Sequence, residues 1–176
     1  MTNQPKLGFF VCFEGSDGSG KSTVARLAYE VLKQTGLDVV YLDKNDPPIN
    51  AGYAAFHMAK LREVLWDYEP TSPLSTLGDG HWLYLIISWF HAVAFSAVQP
   101  LLDEGKIVIA DSWYYKYLAR FSLKSRALAS HAREGFNSIL QPDCVLLLEV
   151  DSAVAAARKA GNLKPSESGG KFNVAL

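Results

Sequence analysis

Between positions 15 and 23 the chain reads Gly15-Ser16-Asp17-Gly18-Ser19-Gly20-Lys21-Ser22-Thr23. The spacing GxxxxGK[ST] suits one task, holding the phosphates of a nucleotide. Glycines let the backbone curl until its N–H groups point inward, and the start of a following helix adds partial positive charge. Lys21 is placed to reach the β- and γ-phosphates, and the Ser22 hydroxyl to complete a Mg²⁺ shell. The plainer alternative is a Gly/Ser turn before a helix. The full pattern, with an apolar run before it and a helical pattern after it, selects nucleoside triphosphate binding by residues 15–23.

A second acidic group stands at the end of Lys106-Ile107-Val108-Ile109-Ala110-Asp111. A carboxylate ending a buried strand beside a phosphate loop can hold Mg²⁺ through water or orient the acceptor oxygen. The competing role, a cap on the next element, is weighed lower. Asp17 and Glu14 receive no individual role, because a turn former and a strand-end acceptor account for them. Arg158, Lys159 and Lys164 bracket Gly161. A basic loop there could close over a transferring phosphoryl group; a solvated helix end is the equal alternative for Arg158 and Lys164 and the favoured one for Lys159. Lys21, Asp111 and Arg158 form the candidate catalytic set, with Ser22 and Asp111 for the metal. The four histidines carry no ligand spacing.

Positioning these groups requires strands that end together. Short β-rich runs lie at Gly8–Glu14, Val39–Leu42, Ile107–Ala110 and Cys144–Val150, without the alternation of a half-exposed sheet. Helical patterns cover Ser22–Gln34, Ala54–Tyr68, Trp82–Leu102 and about Ser125–Leu140. The alternation predicts an α/β fold of P-loop NTPase type, a three-layer α/β/α sandwich on a parallel sheet. Residues 1–176 read as one domain, with a lid-like loop at about 158–171 and a short C-terminal remainder after it.

The 176 residues are 49% hydrophobic with a net charge of −1. Nothing in that balance steers the chain onto nucleic acid or anionic membrane. Cys12 and Cys144 sit inside apolar runs and read as buried free thiols of a reducing compartment. With a short polar N-terminus, a cytoplasmic location is the expectation. Trp82–Val98 is apolar but interrupted by Ser88, His91 and Ser96, so it reads as a buried core helix rather than a span. Its surplus of apolar surface suggests a homodimer.

Taken together, these segments resemble the thymidylate kinase family. Phe13-Glu14-Gly15 with the phosphate loop is similar to that family's opening. Pro100-Leu101-Leu102 followed by Gly105–Asp111 resembles its third helix and the strand ending in its Asp-Arg motif. Pro142-Asp143, Leu146–Asp151 and Arg158 resemble its fourth strand and the approach to its lid. The resemblance spans about residues 8–160 and implies ATP as phosphate donor, Mg²⁺, a nucleoside monophosphate acceptor and a dimer.

The departures cluster where the acceptor binds. Asp111-Ser112-Trp113 stands where the family has Asp-Arg-Tyr, so an arginine for the acceptor phosphate is absent. An arginine of the family's third helix has no counterpart near Phe90. Lys44-Asn45-Asp46-Pro47 matches the family's Arg-Glu-Pro turn loosely. Lys116 and Arg120 replace small or aromatic polar residues. Lys44, Lys116 and Arg120 are therefore candidates for a rebuilt anion site, and Trp113 for stacking on a base. Three functions follow in order: transfer to a nucleoside monophosphate, transfer to an unphosphorylated acceptor, or nucleotide binding without catalysis.

Overall fold

A computed structural model describes residues 8–49, 52–68 and 73–159. Four strands, β1 (Phe9–Gly15), β2 (Val39–Leu42), β3 (Ile107–Ala110) and β4 (Cys144–Leu148), form one sheet in the order β2-β3-β1-β4. Every pairing is parallel, with Phe9 beside Ile107, Val39 beside Ile107 and Val11 beside Cys144. Parallel neighbours need crossovers, and the helices supply them. They are α1 (Lys21–Gln34), α2 (Gly52–Trp66), α3 (Gly78–Val93), α4 (Gln99–Asp103), α5 (Tyr115–Ser122), α6 (Arg126–Asn137) and α7 (Ser152–Lys159).

Successive side chains of β1 point to opposite faces, and each face meets helices. On one side Phe13, Val39 and Ile109 pack under Ala25, Ala28, Tyr29 and Leu32 of α1. On the other, Phe10, Cys12, Leu42, Val108 and Ala110 lie under α3 and the aromatic residues following β3. This is the three-layer arrangement expected. Because β1 and β3 are central neighbours, their C-terminal ends deliver the phosphate loop and Asp111 side by side. Ligands of open α/β sheets bind at that edge.

Several expectations change in detail. The stretch read as one helix over Trp82–Leu102 begins earlier, at Gly78, and contains a wider π-helical turn over Ala94–Val98. That turn delivers the chain to Pro100 at the start of α4, a residue with no N–H to donate. The run Leu74–Asp103 is long and apolar enough to cross a membrane by length and composition, with 44% of its most apolar window buried. Trp82, Leu83, Ile86, Trp89, Phe90 and Val93 of that run belong to the core against the sheet.

Helices α5 and α7 were not foreseen. β4 was expected to be buried on both faces, yet Leu146 and Leu147 are exposed. It is an edge strand paired only with β1, so nothing described covers its outer flank. The proposed lid enters the described residues only at Arg158 and Lys159. The loop from Gly161 to Lys171 lies outside them.

Candidate active site

The phosphate loop connects β1 to α1 through three glycines with positive φ, of which two explain themselves by contact. A Cβ on Gly18 (φ +89°) would meet the Ala155 carbonyl oxygen of α7 at 2.6 Å. A Cβ on Gly15 (φ +152°) would meet the Leu148 oxygen at 2.5 Å. Both positions therefore need glycine for backbone shape and for space. Helix α1 opens at Lys21 with no side-chain cap and no acidic residue in its first turn. Its initial N–H groups and dipole remain available to an anion. Ser19 Oγ is buried in this loop without a hydrogen-bond partner, a polar atom a phosphate oxygen would satisfy.

The charged groups gather around Asp17. Its carboxylate lies 3.3 Å from Lys21 Nζ, 2.6 Å from Lys116 Nζ and 3.9 Å from an Arg120 nitrogen. Lys21 also donates to the Ser16 carbonyl at 3.2 Å. Thus α5, the helix missing from the sequence reading, carries two of the three predicted acceptor cations onto the phosphate loop. Burial pulls the Lys116 pKa below its ordinary value; the Asp17 hydrogen bond opposes this, and the charges of Arg120 and Lys21 reinforce it.

Asp111 is partly buried and has Lys44 Nζ at 3.7 Å. Beside it the Tyr41 hydroxyl is buried with no hydrogen-bond partner. Burial first, and then the Asp111 charge, push the tyrosine pKa upward, so this group stays protonated as a donor. Among the described residues no cluster of three His, Cys, Asp or Glu side chains could hold a metal. A Mg²⁺ fits instead as it usually sits with nucleotides, on a hydroxyl, one carboxylate and phosphate oxygens. Ser22, exposed at the start of α1, and Asp111 are the residues for it. From α7, Arg158 donates to the Gly18 carbonyl at 3.2 Å.

One reading is corrected. Trp113 does not offer a face to a base: it is fully buried, edge-on to Phe10 at 5.3 Å and to Phe90 at 5.0 Å. Its indole N–H donates to the Leu140 carbonyl at 3.1 Å. Ser112 likewise turns away from the cleft. Its hydroxyl donates to the buried Glu14 carboxylate at 3.3 Å, and the Trp113 backbone N–H donates there at 2.7 Å. Glu14 thus anchors the strand end that carries Asp111. The Cys12 thiol leans on the same carboxylate at 3.7 Å; burial, and secondarily Glu14, raise its pKa, leaving it unreactive.

Sequence reasoning missed the central position of Asp17 and the nearness of Tyr41 to Asp111. The second was in principle readable, since parallel pairing sets Leu42 beside Ala110.

Loop, sheet order and strand-end carboxylate define a P-loop α/β nucleotide-binding protein. The thymidylate kinase family model matches residues 13–173. A thymidylate kinase of Dehalococcoides mccartyi is 30% identical over 163 residues, covering 90% of this chain and 72% of the relative. One of Plasmodium falciparum is 27% identical over 158 residues, covering 90% and 69%. The crystal structure of thymidylate kinase from Ehrlichia chaffeensis shares the fold at a TM-score of 0.59 and 22% identity, covering 86% of this chain and 82% of that one. The chain belongs to the thymidylate kinase family, and is a nucleotide kinase.

Proposed function

We propose that this chain transfers the γ-phosphoryl group of ATP to the phosphate of a nucleoside monophosphate, with thymidylate the first candidate from the names of its relatives. The observation carrying this reading is the convergence of Lys21, Lys116 and Arg120 on Asp17. It sets a surplus of cations beside the donor loop, where a second phosphate must come.

An oxygen of the acceptor phosphate forms the new bond to Pγ while the bond from Pγ to the β–γ bridging oxygen breaks, releasing ADP. No proton transfer or covalent intermediate is required, so catalysis is positioning and charge stabilisation. Residues 15–23 cradle the triphosphate, and Lys21 leaves Asp17 for the β- and γ-oxygens. Mg²⁺, when bound, supplies neutralisation of those oxygens. Ser22 and Asp111 would hold it, and Lys44, beside Asp111, would be released to the acceptor. Lys116 and Arg120 hold the acceptor phosphate, and Arg158 follows the transferred group.

The reading of an unphosphorylated acceptor rested on the missing arginine at position 112, and the Lys116 and Arg120 cations beside the phosphate loop favour a phosphorylated one. The enzyme is read as a cytoplasmic homodimer, joined through the exposed side of the α3 run where Tyr84 and Phe95 project.

The deciding experiment measures ADP release from Mg·ATP across nucleoside monophosphates and the matching nucleosides, with Lys21→Ala as control. Stimulation by a monophosphate alone, lost in the variant, is the expected result. Stimulation only by nucleosides reverses the acceptor assignment, and silence across the panel removes the activity.

A further inference from the structure

Beside Asp111 a buried hydroxyl has nothing to bond to. The parallel register sets Tyr41 of β2 opposite Ile109 and Leu42 opposite Ala110. Strand side chains alternate between faces, so Tyr41 and Ile109 share the face that α1 covers. Asp111, two residues beyond Ile109, comes close enough to act on the phenol through its charge and through hydrogen bonding.

The phenol is held in place from α1. Arg26 lies over its ring, 4.7 Å from the centroid, and Tyr29 packs edge-on at 6.1 Å. Phenylalanine would serve that packing as well, so packing does not account for the hydroxyl. Its oxygen is buried and makes no hydrogen bond in the ligand-free protein. Burial first, and the Asp111 charge second, keep it protonated and so able to donate. Meanwhile Asp111 is engaged by another group, the Lys44 ammonium at 3.7 Å. A donor fixed in place thus stands next to an acceptor that a mobile lysine occupies. An unmade bond of this kind costs free energy that its formation recovers.

We propose that Tyr41 is a positioning residue for the metal-binding carboxylate. When Lys44 gives up Asp111, the Tyr41 O–H donates to one carboxylate oxygen and leaves the other for Mg²⁺. This rests on the reading above that Asp111 serves the metal. Mg²⁺ beside a nucleotide takes only one or two protein carboxylates, so the orientation of a single one weighs heavily. A hydrogen bond that fixes a ligating carboxylate carries about ten- to hundred-fold in metal affinity or activity.

ATP binding to wild type, Tyr41→Phe and Asp111→Asn is titrated by calorimetry, once with Mg²⁺ and once with EDTA. The wild type is expected to bind ATP more tightly with the metal. Tyr41→Phe should lose about ten-fold of that gain, with its affinity for metal-free ATP within about two-fold of wild type. Equal losses with and without Mg²⁺ mark a structural role and overturn the inference. A gain that Asp111→Asn abolishes and Tyr41→Phe keeps overturns this inference alone. A gain that survives Asp111→Asn, or is missing from wild type, removes the metal role of Asp111 and this inference with it.

Stability supplies a second readout, independent of nucleotide. Because the hydroxyl is unpaired before ligand binds, ligand-free Tyr41→Phe should match or exceed wild type in urea melts. A marked loss of stability, or a variant that does not fold, means that the hydroxyl already serves the fold, and overturns the proposal.

Discussion

The ammonium of Lys116 stands 2.6 Å from the carboxylate of Asp17, a residue 99 positions earlier. One contact thereby joins the donor loop to the helix after β3. Four charged groups meet there, and three of them are cations. Lys116 and Arg120 outnumber Asp17 even without Lys21, which leaves a local cation surplus on the α5 side of the loop.

Replacing either α5 cation should weaken acceptor use selectively. Lys116→Gln and Arg120→Gln are each expected to raise the acceptor KM about ten-fold or more, with the Mg·ATP KM within about two-fold. Initial rates with each substrate varied in turn test this. Equal rises for both substrates would move these residues to a structural role.

The pH dependence should carry the mark of Lys116. Its pKa is lowered from 10.5, chiefly by burial. If the protonated form binds the acceptor, as proposed, acceptor kcat/KM is sustained at lower pH and falls as pH rises through the depressed value. Arginine does not titrate in this range, so Lys116→Arg should flatten that alkaline limb. A limb unchanged in the arginine variant assigns it to another group.

Trp113→Phe should behave as a core substitution. It removes the bond to Leu140 and leaves space between Phe10 and Phe90, at a cost of about 1–3 kcal/mol. The acceptor KM is expected to stay the same. Urea melts with steady-state rates separate the two effects, and a large KM change at unaltered stability would restore Trp113 to the substrate site.

Phe95 is 82% exposed, so a monomer gains little from it. If the α3 face joins two copies, Phe95→Glu should shift sedimentation from dimer to monomer while the melting temperature of the dilute protein changes little. A wild type that sediments as a monomer at all concentrations ends the dimer proposal.

The phosphate loop and the four strand segments were legible because they are local. Glycine spacing and buried β-rich runs leave their signal within a dozen residues. Helix α5 was not, since it is only eight residues long and follows directly on the aromatic run that starts at Trp113. Side-chain direction was also beyond the sequence. Ser112 and Trp113 occupy the positions where an acceptor site was expected, yet both point at the buried Glu14 side of the sheet. Lys116 and Arg120 were named for their charge, but their shared partner Asp17 emerged only when α5 folded across the loop.

The contact between Gly18 and α7 makes the loop and that helix one mechanical part. Ala155 rests where any side chain at position 18 would go, and Arg158, one turn along, holds the Gly18 carbonyl. If the guanidinium turns to a γ-phosphate, as proposed, it must give up that hold on the loop. Arg158 would then act as a latch between helix and loop, held on the Gly18 carbonyl until a phosphate takes its place.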